Sequence, residues 1–111
     1  MNREELLLTL NSSSRYKEIW LQHSSGTSIC ALINGDIGWL MYLPEDGGAG
    51  FSSRNPNETD TVEIEFLLNN GQEDLYPKNW TYPLSTLKEG LFSFLKTGQR
   101  PTQLEWHNDS M

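Results

Sequence analysis

The sequence predicts an α+β fold in which an antiparallel meander sheet carries a short N-terminal helix and a long C-terminal helix packed on one face. Three observations predict it. Leu84, Leu87, Leu91 and Leu95, with Phe94 beside them, recur at three- and four-residue spacing, which marks one apolar stripe of a helix. Segments near 17–23 and 60–68 alternate apolar and polar residues, the period of a half-buried strand. Asn34-Gly35 and Asn70-Gly71 fall between strand-like segments, where a type I′ hairpin turn needs positive φ at both central residues.

Taken in order, Asn2 is placed to cap a helix running to Leu10, with Glu4 and Glu5 in its first turn and Leu6, Leu7 and Leu10 on its buried side. The polar run Asn11 to Ser14 ends it. Lys17 to His23 then reads as a strand with Ile19 and Leu21 on one face and Trp20 and Gln22 on the other. Ser24-Ser25-Gly26 turns the chain into a second strand, Thr27 to Ile33, and Ile37 to Leu43 is its hairpin partner. In that partner Trp39, Met41 and Leu43 share one face and Leu40 and Tyr42 the other. Pro44 to Pro56 breaks regular structure except for a brief strand at Gly50 to Ser53. Asp60 to Leu68 resumes alternation with Val62, Ile64, Phe66 and Leu68 inward and Glu63 and Glu65 outward, and Gln72 to Tyr76 returns as a short strand.

The C-terminal third is a helix, its stop and its cover. Pro83 suits the first helical turn and Lys96 the last. Gly98 can take the left-handed conformation that ends a helix, and Pro101 prevents resumption. Leu104 and Trp106 then share one face of an extended segment and pack back on the stripe. Leu91, Phe94, Gly98, Pro101 and Trp106 are therefore read as scaffold.

The motif F-x-x-T-G-x-x-P-x-x-L-x-W, here Phe94, Thr97, Gly98, Pro101, Leu104 and Trp106, resembles the carboxy-terminal signature of the Imm1 family of bacterial immunity proteins. The likeness extends upstream through Gly38-Trp39-Leu40, Gly47-Gly48-Ala49-Gly50-Phe51-Ser52, Asn55-Pro56, Asn69-Asn70-Gly71-Gln72 and Tyr76-Pro77. It spans about Gly26 to Trp106. The resemblance implies the α+β class and a protein that neutralises the toxin domain of a polymorphic toxin system, with nucleic-acid deaminases and nucleases as the toxin classes.

At 111 residues the chain reads as a single domain, 1–111. It has no apolar run long enough to span a membrane, and its first residues lack the basic-then-apolar order of a secretory leader. The expectation is a soluble cytoplasmic protein that does not bind membranes. Cys30 is the single cysteine, flanked by Ile29, Ala31 and Leu32, a setting that favours a buried structural thiol. A net charge of −7 argues against direct contact with nucleic acid, which needs clustered Lys and Arg. The charge is uneven: nine acids face one base between Asp36 and Asp74, whereas six acids face seven bases elsewhere. Two readings stand, a solubility device or an acidic face for a basic partner.

Chemistry is harder to find. His23 and His107 lie in unrelated contexts and no zinc spacing occurs. The loop Asp46 to Gly50 lacks the G-K-[ST] ending of a phosphate loop. Glu63 and Glu65 share a strand face, which reads as solvated more readily than as a catalytic carboxylate pair. The expectation is a non-enzyme without metal or cofactor that binds a cognate toxin one-to-one as a monomer. An acidic adaptor without a toxin partner is the alternative, and a small carboxylate enzyme using Glu63, Glu65, Glu73 and Asp74 is a third. For the partner surface we single out Asp36, Glu45, Asp46, Glu58, Asp60, Glu73 and Asp74 as steering charges, with Phe51 or Trp80 as a desolvated anchor.

Overall fold

The computed structural model describes residues 1–110. Helix α1 (Arg3–Leu10) is capped by the Asn2 side chain, whose Oδ1 accepts from the Glu5 amide at 2.8 Å. Strands β1 (Tyr16–Gln22), β2 (Ser28–Asn34) and β3 (Ile37–Leu43) then pair antiparallel in sequence order. Strand β4 (Phe51–Arg54) pairs with the far end of β3, Met41 opposite Ser52. Strands β5 (Glu63–Leu67) and β6 (Glu73–Pro77) form a separate two-stranded ribbon. A short 3₁₀ turn (Lys78–Trp80) leads to β7 (Tyr82–Pro83), which pairs with the near end of β3, and then to helix α2 (Leu84–Thr97). Strand β8 (Glu105–Asn108) closes the main sheet beside β4, so its order is β1-β2-β3-β4-β8.

Burial explains why one sheet was not enough. Every residue from Ile29 to Ile33 in β2 is buried, so both faces of the central strand are apolar and both must be covered. Ile29, Ala31 and Ile33 join Ile19, Leu21 and Leu40 in a core with Leu6 and Leu10 of α1 and Leu87, Leu91 and Phe94 of α2. Cys30 and Leu32, with Trp39, join a second core completed by Phe66 of β5, with Ile64, Leu68, Tyr76 and Trp80 packed around it. The α+β class predicted from sequence holds. Within it the fifth and sixth strands form a ribbon of their own over the second face, a strand order that the sequence does not specify.

Smaller differences have identifiable causes. Asn34 pairs with Ile37, so the hairpin loop is Gly35-Asp36 and not Asn34-Gly35. Gly35 alone has positive φ, 64°, the glycine-first pattern of a two-residue loop. Leu67 pairs with Glu73, and the Leu68 amide donates to the Gln72 carbonyl at 2.8 Å, so the ribbon turns through a three-residue loop, with Gly71 left-handed. Pro83 precedes α2 instead of opening it, its extended ψ of 151° leaving Leu84 as the first helical residue. Leu7 and Val62, expected inward, are exposed, because the buried side of α1 needs only Leu6 and Leu10 and β5 begins one residue after Val62.

Candidate partner-binding surface

Strand pairing places the candidate acids in distinct neighbourhoods. Asp36 is exposed in the β2–β3 turn, with its carbonyl accepting from the Leu84 amide at 2.8 Å. Glu45 and Asp46 follow the other end of β3, some 20 Å of strand away. There Asp46 Oδ1 accepts from the Gly48 amide at 2.9 Å, while Glu45 lies against Gly26 of the β1–β2 turn. Glu58 pairs with Lys78 at 3.7 Å, and its Oε2 accepts from the Asp60 amide. Asp60 in turn accepts from the Val62 amide at 3.0 Å, leading the chain into β5. Glu73 and Asp74 are neighbours in sequence but point to opposite faces of β6. Glu73 is exposed opposite Leu67, whereas Asp74 lies opposite the buried Phe66 and bonds Gln72 at 2.9 Å and the Tyr76 hydroxyl at 3.3 Å. Asp36 and Glu45 therefore do not share a patch. Glu58, Asp60 and Glu73 belong to the ribbon and the loop that feeds it.

The two anchor candidates are likewise on different faces. Phe51 stands opposite Tyr42, on the helix side, half-buried beneath the Arg100 guanidinium at 4.0 Å. It lines an open cavity of about 720 Å³ with Tyr42, Arg100 and Trp106. Trp80 is on the ribbon side, in a column with Trp39 and Tyr76: Trp39 and Tyr76 stack at 4.5 Å, Tyr76 and Trp80 at 5.7 Å. Arg54 closes the column 3.6 Å over the Trp80 ring and donates to Ser52 Oγ at 2.9 Å, and Ser52 Oγ donates to Asp109 at 2.7 Å. Burial pulls the Arg54 guanidinium below its ordinary value, against the attraction of Asp109. Burial, reinforced by Asp74, pushes the Tyr76 hydroxyl up to about 12. The column is a stacked support with little free aromatic surface.

The motif residues at the C-terminus form a clasp between α2 and β8. Phe94 is fully buried and Gly98 ends the helix at φ 68°, its amide donating to the Phe94 carbonyl at 2.7 Å. The Gly98 carbonyl accepts from the Thr27 hydroxyl at 2.6 Å and from the Tyr42 hydroxyl at 3.4 Å. Thr97 Oγ1 takes the Gln99 amide at 3.1 Å. Pro101 is buried and its carbonyl accepts from Trp106 Nε1 at 2.8 Å, while Leu104 fills the space above Gly90. Each of these positions does a stated job in the scaffold. Residues 9–108 match the family described as Immunity protein Imm1.

The chain belongs to the Imm1 family. Membership covers nearly the whole chain and implies an immunity protein whose partner is a cognate toxin. No individual curated protein matches it. Among the described residues no group of three or more His, Cys, Asp or Glu side chains is placed to hold a metal ion, and no helix is long and apolar enough to cross a membrane. Asp74 faces inward while Glu63, Glu65 and Glu73 face outward, so the four carboxylates of the third reading do not converge.

Sequence reasoning named the acids of one surface but not the leucines beside them. Glu63, Glu65 and Leu67 of β5 face away from the main sheet, and Glu73 and Leu75 of β6 lie opposite Leu67 and Glu65 on the same side. The signal was available in the alternation: Phe66 inward requires Leu67 outward, and a leucine there has no structural reason to be apolar.

Proposed function

We propose that this Imm1 protein neutralises a toxin that acts on nucleic acid, a deaminase or a nuclease, by tight one-to-one binding through acidic side chains. It works by occupying the toxin and not by turnover, without metal or cofactor, as a monomer in the cytoplasm of the cell it protects. The observation that carries this reading is the charge asymmetry of the 36–74 segment, nine acids against one base, in a chain whose family implies a toxin partner. An enzyme that handles nucleic acid presents a cationic groove to the phosphates. An acidic protein competes for that groove and gains steering, with association rates up to about 10⁸–10⁹ M⁻¹s⁻¹ at low salt. Speed matters because a toxin must be captured before it reaches its substrate.

The test is titration of the purified protein into the toxin domain encoded by the neighbouring gene, followed by cleavage or deamination of a nucleic-acid substrate. Inhibition complete at one equivalent supports the reading. A partner with no activity on nucleic acid, or no complex at micromolar concentration, overturns it in favour of an adaptor role.

A further inference from the structure

We propose that the toxin docks on the outer face of the β5–β6 ribbon and on Trp20 beside it, an apolar centre ringed by carboxylates. The proposal deepens the functional reading above and rests on it for the existence of a toxin partner. Leu75 is 57% exposed, Trp20 46% and Leu67 38%, and the two leucines lie on one small two-stranded face. Exposed leucines at alternate positions of an outer layer add nothing to the core beneath, which Phe66 and Tyr76 already fill from the other side.

Trp20 belongs to the same surface. It stands opposite Cys30, so it projects from the sheet face that the ribbon covers. Glu18 fixes it there. One carboxylate oxygen accepts from Trp20 Nε1 at 2.8 Å, and the other accepts from the Asn69 amide at the ribbon tip at 2.8 Å. A single side chain thus holds the exposed indole and the ribbon tip in register. An exposed tryptophan with its rotamer already fixed loses little freedom on binding, which is what an interface anchor requires.

Charge selects the occupant. Glu65 stands opposite Leu75 and Glu73 opposite Leu67 on this face, with Glu63 next along β5; no base occurs in either strand, and none of the three is ion-paired among the described residues. A partner surface with an apolar patch inside a ring of Lys and Arg matches it, the chemistry expected at the mouth of a nucleic-acid-processing groove. The helix side also exposes Leu7 and Leu8 of α1 with Glu4 and Glu5 in the same helix, but there Arg3 is held over Phe92, so its charge is mixed.

The experiment is stopped-flow association and dissociation with the neighbouring-gene toxin at two ionic strengths. Variants are Leu67→Ser/Leu75→Ser, Trp20→Ala, and the triple Glu63→Gln/Glu65→Gln/Glu73→Gln. Controls are Leu8→Ser and Glu89→Gln, and urea midpoints confirm that each variant is folded. The leucine pair and Trp20 variants should each dissociate about tenfold faster or more, with association nearly unchanged. The glutamine triple should associate about tenfold more slowly at low salt and show a flatter salt dependence. Wild-type binding with folded ribbon variants that behave like wild type overturns the docking face alone. Failure of the wild-type protein to bind removes the functional reading and this inference together.

Discussion

Trp106 and Cys30 illustrate two ways in which a single side chain couples to the whole fold. The Trp106 ring is half-buried against the helix core and its Nε1 donates to the Pro101 carbonyl. A fully buried tryptophan replaced by alanine costs about 3–5 kcal/mol. Partial exposure lowers the expectation for Trp106→Ala to about 2–3 kcal/mol, read from the urea midpoint. Trp106→Phe keeps most of the packing and should cost about 1 kcal/mol, the worth of the lost hydrogen bond. Toxin affinity should stay at wild type in both, since the ring closes the clasp far from the ribbon's outer face. Cys30 acts through protonation. Burial, helped by Glu18, pushes its thiol from 9.0 up to about 12, and Tyr76 in the same core moves from 10.0 to about 12. A raised folded-state value means the neutral form is favoured in the fold. That stability is complete below about pH 9 and is lost as pH rises towards 12. The urea midpoint should therefore be flat through neutral pH and fall above about pH 9. In Cys30→Ala the onset should move to about pH 10, where Tyr76 and Tyr82, the latter also raised by burial, remain. A midpoint unchanged to pH 11 would show that neither group is held neutral by the fold.

At the scale of elements, what could be read from sequence followed how local each signal is. The stripe of α2, its stop at Gly98 and the cap at Asn2 depend on residues within a few positions, and the helices stand where those residues put them. Most strand boundaries fell within a residue or two, though β5 starts three residues after the expected Asp60 and β7 was not expected; both turns shifted, because register answers to cross-strand pairing and not to the most favourable dipeptide. The ribbon was not legible as a separate layer. Nothing local to residues 60–77 says whether Phe66 covers the helix face or the opposite one. Only the unbroken apolar run Ile29 to Ile33 hinted that both faces need cover. The partner surface suffered for the same reason, since Asp36, Glu45 and Glu73 are grouped by sequence charge and parted by topology. Gly90 tests the packing that sequence spacing missed. In an exposed helix Gly→Ala stabilises by about 1 kcal/mol, but here an added Cβ would meet Leu104 Cδ1 at 2.9 Å and Pro101 Cβ at 3.5 Å. Crowding of this kind costs about 1–3 kcal/mol, so Gly90→Ala should be destabilising overall. An increase in the urea midpoint would mean that the clasp yields more easily than its contacts imply.

Across the whole molecule the two cores are unequal, and that inequality has a measurable consequence. The helix-side core joins two helices to four strands, whereas the ribbon side is held by Phe66 and a few half-buried neighbours. The ribbon also pairs with no third strand and is tied to the main sheet by few hydrogen bonds, among them Asn34 Nδ2 to the Glu65 carbonyl and the Asn69 amide to Glu18, so it should lift from the sheet at a lower free-energy cost than global unfolding. Cys30 lies beneath it in the same cluster as Phe66 and is the one thiol in the chain. Its labelling by a disulfide reagent under native conditions should therefore report ribbon opening. Phe66→Ala should speed that labelling by at least tenfold, while hydrogen exchange at the β2 amides, paired on both sides, changes by no more than the loss in global stability. A toxin bound across the ribbon and Trp20 should hold the layer down and slow labelling in proportion to the complex formed, by the linkage that stabilises any state a ligand prefers. If labelling instead tracks global unfolding in every variant, the two cores melt as one and the ribbon is as firmly seated as the central strands.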